Sequence, residues 1–216
     1  MNTKTRKLTI IAMLVAISFV AVTLLRVPIV LFLKYDPKDV IITIGGLIWG
    51  PLISALVSII VSIIEMITIS DTGIIGLVMN ILASCFFACP AAIIYKKRRT
   101  LSGAVIGLII GAISSTAIML LWNYLITPFF MGIPRLEVAK LLIPVLLPFN
   151  LLKTGLNAAF TMLLYKPIIS ALKKAHLISN DDDKQVIAKR NIGTVLVSIV
   201  VIATAILVAL LLRGVI

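Results

Sequence analysis

Asn150, Lys153, Thr154 and Asn157 stand at i, i+3, i+4 and i+7 within an apolar stretch, so a helix there carries them on one continuous face. Such a polar stripe in a membrane segment is costly to keep and is a default binding-site candidate. Lys153 reads as the one Lys or Arg inside an apolar block, five residues after Pro148. At about 1.5 Å per residue, that sets it roughly 7–8 Å below the helix start. A cavity open to the outer side would hydrate it; a snorkelling lysine or a packing stripe between helices is the plainer alternative. Two more amides accompany the stripe: Asn123, beside Trp122 and Tyr124 at the end of another apolar block, and Asn80 in a third. An amide donates and accepts together, so asparagines suit a heterocycle with alternating carbonyls and ring N–H groups, and aromatics can stack on its faces. Each Asn could equally bond a neighbouring helix. Glu65 falls near the outer end of its block as an interfacial group, a second ligand contact or a counter-charge to Lys153.

Other chemistries find no residues. The single His176 lies in a basic segment, so no histidine pair suggests a metal, and no nucleophile–base arrangement or P-loop stands out. Cys85 and Cys89, four apart in an apolar block, read as small core residues. Neither catalysis nor a metal is expected, and any energy must come from a gradient or another subunit.

The elements that must position these groups are membrane spans. Of 216 residues 61% are hydrophobic and 13% charged, against roughly 45–50% and 25% in soluble domains. The apolar residues come in blocks long enough to cross a bilayer, which takes about 20 residues. A soluble enzyme, a disordered chain and a disulfide scaffold are thereby excluded. The blocks run over 8–25, 40–69 (split by Gly45, Gly46 and the Trp49-Gly50-Pro51 turn), 74–95, 101–126 (closed by Thr127-Pro128), 141–165 (helical from about Pro148 into 166–174) and 192–212. A loop over 26–39 joins the first two. The net charge of +12 marks topology and lipid headgroups rather than nucleic acid, because the basic residues sit in the gaps between blocks. Lys4, Arg6, Lys7, the Lys96–Arg99 run and the cations of 166–190 fall on one side. Arg26, Lys34, Lys38, Arg135, Lys140 and Arg213 fall on the other. That bias predicts a cytoplasmic N-terminus in a multi-pass plasma-membrane protein. The organisation expected is a six-helix substrate-binding domain over 1–175, a polar cytoplasmic linker over 176–191 and an extra transmembrane helix over 192–216. Ala12 and Ala16, four apart in the first block, let another helix approach closely.

Taken together, several segments give the chain a family resemblance. They are Ala12-Met13-Leu14-Val15-Ala16, Asp36-x-x-Asp39, Trp49-Gly50-Pro51, Asp71-Thr72-Gly73 with Asn80, Asn123-Tyr124 and Pro148-Phe149-Asn150-Leu151-Leu152-Lys153. In this order over about residues 8–174 the chain resembles the riboflavin-type substrate-binding S component of energy-coupling factor (ECF) vitamin transporters. The resemblance implies an all-α six-helix membrane subunit that captures riboflavin, as transported ligand rather than cofactor. It also implies a transmembrane coupling subunit and two ATP-binding subunits as partners, with Ala12 and Ala16 facing the coupling protein. Asn123, Asn150 and Lys153 would contact the flavin, and the polar stripe and intramembrane amides add Asn80, Thr154 and Asn157 as expected substrate-binding residues. Family members often carry a Lys-Asn pair midway along helix three; here the positions hold Ser58, Ser62 and Glu65. Another vitamin or flavin derivative, such as thiamine or flavin mononucleotide, is the alternative ligand. A membrane enzyme acting on lipids would want clustered acids or histidines, and a secondary transporter would want internal repeats and buried coupling carboxylates.

Overall fold

The computed structural model describes residues 3–31, 33–174, 198–199, 201–206, 208 and 210. The chain runs α1 (Thr3–Leu25), a hairpin of β1 (Val27–Val30) and β2 (Leu33–Tyr35), α2 (Lys38–Trp49), α3 (Pro51–Thr68), α4 (Gly73–Arg98), α5 (Leu101–Met131), short α6 (Arg135–Leu141), a π-helical turn over Leu142–Leu146, and α7 (Leu147–Lys174). Among the described residues, four helices are long and apolar enough to cross a membrane: α1, α3, α4 and α5. Helix α2 has 12 residues, about 18 Å, short of the roughly 30 Å hydrocarbon core. Helix α7 has the length, at 28 residues, but turns its polar stripe inward. This is an all-α membrane bundle with one small hairpin.

The split between α2 and α3 lies at Gly50 alone, whose φ of 100° suits glycine, with Pro51 opening α3 at a position where its missing N–H costs nothing. Gly45 and Gly46, expected to help break the segment, lie inside α2 and serve close packing instead. A Cβ on Gly45 would meet Leu14 Cδ1 at 2.7 Å, and one on Gly46 would strike the Ser54 hydroxyl. Helix α5 likewise runs past its expected stop: Pro128 is accommodated within the helix, and Gly132 in the left-handed conformation ends it. The loop expected over 26–39 is a hairpin, pairing Val27 with Tyr35 and Pro28 with Lys34.

Helices α1, α2, α3 and α4 meet around Ile10, Leu14, Val15, Ile42, Val57, Val61 and Ala88. Helices α4 and α5 come closest at Gly107 and Gly111, whose missing side chains let α5 lie on the backbone of Ala91 and Phe87, the small-residue approach usual between membrane helices. The hairpin rests on α6, the π-turn and α7, burying Leu33 against Val138, Leu146 and Phe149. Cys85 and Cys89 are free and half-buried rather than enclosed. The linker expected over 176–191, with His176, lies outside the described residues. Of the expected last span, 198–199 and 201–206 are helical, and Ala205 and Ile202 pack on Leu152, Leu156 and Tyr35.

Candidate functional site

A cavity of about 310 Å³ opens between the hairpin, the α3–α4 turn and helices α4, α5 and α7. Five of the six expected site residues share its wall: Asn80 from α4, Asn123 from α5, and Asn150, Lys153 and Thr154 from α7. They come together because α5 and α7 pack side by side and the stripe's period matches the helix. Asn157, one turn further along, is absent from the wall. Its amide donates to Asp39 Oδ2 at 3.2 Å and accepts from the Tyr35 hydroxyl at 3.2 Å. Asn123 and Asn150 are held by their own helices. Asn123 Nδ2 donates to the Met119 carbonyl at 2.7 Å and its Oδ1 accepts from Thr127 at 2.9 Å. Asn150 Nδ2 donates to the Leu146 carbonyl at 2.7 Å, and Thr154 donates to the Asn150 carbonyl at 2.8 Å. The aromatic rings of the wall are Phe130 and Phe149. Trp122, expected beside Asn123, lines a separate small cleft, and Tyr124 is exposed.

The electrostatics of the site arise from groups that the spacing alone does not connect. Lys153 donates to Asp36 Oδ2 at 3.2 Å and stands 3.9 Å from Asp39 Oδ2. Asp39 also accepts from the Ser84 hydroxyl. Glu65 is fully buried, not interfacial, and its partners are Arg26 and Lys38 rather than Lys153. Arg26 and Lys38, counted by sequence among outer-loop charges, are therefore internal cations. Three cations (Arg26, Lys38, Lys153) face three anions (Asp36, Asp39, Glu65). That balance is what burial requires, since each unpaired ion would cost several kcal/mol. The Asp36-x-x-Asp39 spacing next to Lys38 was the available signal, because acids in so short an apolar gap need partners.

Where the hairpin meets the α3–α4 turn, Lys34 bonds Asp71 at 3.0 Å, and this hydrogen bond, with the lysine's charge, holds the exposed Asp71 carboxyl below its ordinary range. Burial pushes the Tyr35 hydroxyl up, with the negative charges of Asp36 and Asp39 adding to it, so Tyr35 is a neutral hydrogen-bond donor. The site thus offers two lysines and an arginine, three amides, several hydroxyls, three carboxylates and two phenyl rings around one small-molecule-sized space. Among the described residues no three His, Cys, Asp or Glu cluster as a metal site would need.

Residues 6–165 match the family model for the ECF transporter, substrate-specific component. The chain belongs to that family. Among its relatives, the riboflavin transporter FmnP of Bacillus subtilis (strain 168) is 33% identical over 189 residues, covering 81% of this chain and 99% of the relative. The riboflavin transporter RibU of Streptococcus thermophilus is 29% identical, covering 80% of this chain and 87% of the relative. RibU of Staphylococcus aureus is 28% identical, covering 78% and 93%. A solved structure, described as that of the S component of a bacterial ECF transporter, superposes with a TM-score of 0.67 at 27% identity, covering 79% of this chain and 99% of the other. This substrate-specific component therefore shares both sequence and fold with its family through the whole cavity-forming region.

Proposed function

We propose that this S component captures riboflavin at the outer face of a bacterial cell membrane and delivers it through an ECF transporter. The observation that carries the reading is the cavity in which Asn123, Asn150 and Lys153 converge, in a chain whose relatives are named riboflavin transporters. The size supports it, because small-molecule sites begin near 300 Å³. The chemistry supports it too. Lys153 can donate to a ring carbonyl, the amides can meet carbonyl and N–H groups along the edge of the ring system, and Phe130 and Phe149 offer apolar surface to its faces. Asn80 and Thr154 complete the wall, and Asn157 acts behind it by holding Asp39. Riboflavin is cargo in this reading; no cofactor and no catalysis are assigned to the chain.

Delivery requires a transmembrane coupling subunit and two ATP-hydrolysing subunits. Ala12 and Ala16 are exposed on α1, while Ile10, Leu14, Val15 and Ser18 face the bundle. Two small residues four apart on an outward face suit close contact with another helix, and we assign that face to the coupling subunit. The N-terminus is taken as cytoplasmic from the charge bias.

The deciding experiment is direct. Protein purified in detergent is examined for a flavin absorbance band and titrated with riboflavin, thiamine and flavin mononucleotide. Saturable binding with riboflavin preferred is expected. Preference for thiamine, or no flavin binding by folded protein, overturns the reading.

A further inference from the structure

We propose that Asp36 is a specificity-determining residue, its carboxylate accepting a hydrogen bond from a ligand N–H adjacent to the carbonyl that Lys153 contacts. The inference rests on the flavin reading above and deepens it. Two acids approach Lys153, and they are not equivalent. Asp39 has both oxygens committed, Oδ1 to the Ser84 hydroxyl and Oδ2 to the Asn157 amide. Asp36 gives Oδ2 to Lys153, while its Oδ1 is buried with no hydrogen-bond partner among the described residues. Asp36 is 2% exposed and belongs to the cavity wall. A buried carboxylate oxygen calls for a donor, and an ionised carboxylate can only accept. The missing partner must therefore bring an N–H or O–H.

The neighbouring ammonium narrows the choice. Lys153 has three N–H groups and no acceptor, so with one on Asp36 it can turn another to a ligand oxygen. A donor and a carboxylate acceptor side by side complement a carbonyl next to an N–H, the edge of an amide or imide ring. The pyrimidine part of the flavin ring system carries that edge. An aromatic ring with nitrogen acceptors and no ring N–H does not. A site that leaves its own polar group unpaired rejects the ligand lacking the matching group far more strongly than an apolar pocket rejects a missing methylene. Asp36 would thus supply discrimination as well as support for Lys153.

Riboflavin and its N3-methyl derivative, which keeps both carbonyls and loses the N–H, are titrated into the purified full chain and into Asp36→Asn. The wild type should bind riboflavin at least tenfold more tightly than the methylated flavin. In the variant the amide oxygen turns to Lys153, leaving its NH2 against the ligand N–H, donor against donor. The preference should then shrink severalfold, and since Asn has the shape of Asp, that shrinkage reports the hydrogen bond rather than space. Asp36→Ala, read in the same way, serves if Asp36→Asn is unstable. Equal binding of the two flavins by the wild type overturns the proposal. So does an unchanged ratio in the variants with both affinities lowered, which would make Asp36 only a prop for Lys153 and assign Oδ1 to water. A folded wild type that binds neither flavin removes the functional reading and this inference with it.

Discussion

At the scale of single residues, Lys153 pairs with Asp36 and Asp39 and is proposed to meet the ligand, so its mutants must be read on both counts. A charge-assisted bond to a ligand carbonyl is worth about 1.5–3 kcal/mol, so Lys153→Ala should weaken riboflavin binding by roughly ten- to a hundredfold or more, at about 1.4 kcal/mol per decade. The same change strips the cation from Asp36 and Asp39. Thermal unfolding must therefore be followed beside the titration, and unchanged affinity in folded protein removes Lys153 from the site. Asn123 makes neutral bonds, and Asn123→Ala should cost about 0.5–1.5 kcal/mol, less than Lys153→Ala; the reverse order would mean the anchoring roles are exchanged. Glu65→Gln tests the other half of the charge network. It leaves Arg26 and Lys38 without their anion, a break worth about 3–5 kcal/mol in buried pairs, so the melting temperature should fall sharply even without ligand. A melt near wild type would mean that water reaches this cluster. The Asn150-to-Asn157 stripe was legible in the sequence because helical periodicity is local. The pairing of Glu65 with Lys38, 27 residues away, was not, since it depends on how α2 and α3 fold back on each other.

The elements follow the same division. Apolar block lengths locate α1, α3, α4 and α5, and the Gly50-Pro51 step is readable because each residue has a backbone reason to be there. The hairpin was missed: Val27–Val30 and Leu33–Tyr35 are short, and Pro28 within β1 argues against a strand. What fixes the hairpin is tertiary, the burial of Leu33 and Tyr35 on α6 and α7. The visible clasp on β2, Lys34 to Asp71, is exposed, and exposed pairs contribute little. Asp71→Asn should accordingly leave the melting temperature almost unchanged, whereas a large drop would assign the hairpin's hold to that pair. Gly107 is different in kind. A Cβ there would come within 2.8 Å of the Ala91 carbonyl, a backbone atom that cannot swing aside. Gly107→Leu should push α5 from α4 and cost about 1–3 kcal/mol by overpacking, read as a lower melting temperature. Because Ala83 and Ser115 of the cavity wall lie on these two helices, ligand affinity should fall as well.

For the whole molecule, the question is which surfaces serve the ligand and which serve the assembly. The described cavity residues fall between Arg26 and Thr154, inside the matched 6–165 region, while Ile202 and Ala205 of the last helix pack on Tyr35, Leu152 and Leu156. The docking role proposed for the outer face of α1 bears on the step after the proposed capture. Its Ala12-x-x-x-Ala16 pattern could equally have packed inside the subunit; α1 instead buries Leu14, Val15 and Ser18 and leaves both alanines exposed. Enlarging Ala12 and Ala16 together to Leu therefore adds bulk to an outer surface, where the bundle itself has room. Two helices that must meet backbone to backbone do not have that room. The double variant should bind riboflavin with wild-type affinity in detergent, fail to pull down the coupling subunit, and leave cells that depend on it unable to accumulate the vitamin. If binding and folding fall together, the two side chains are overpacking the bundle, and this face is internal. If the variant binds, assembles and transports like the wild type, the coupling subunit docks elsewhere.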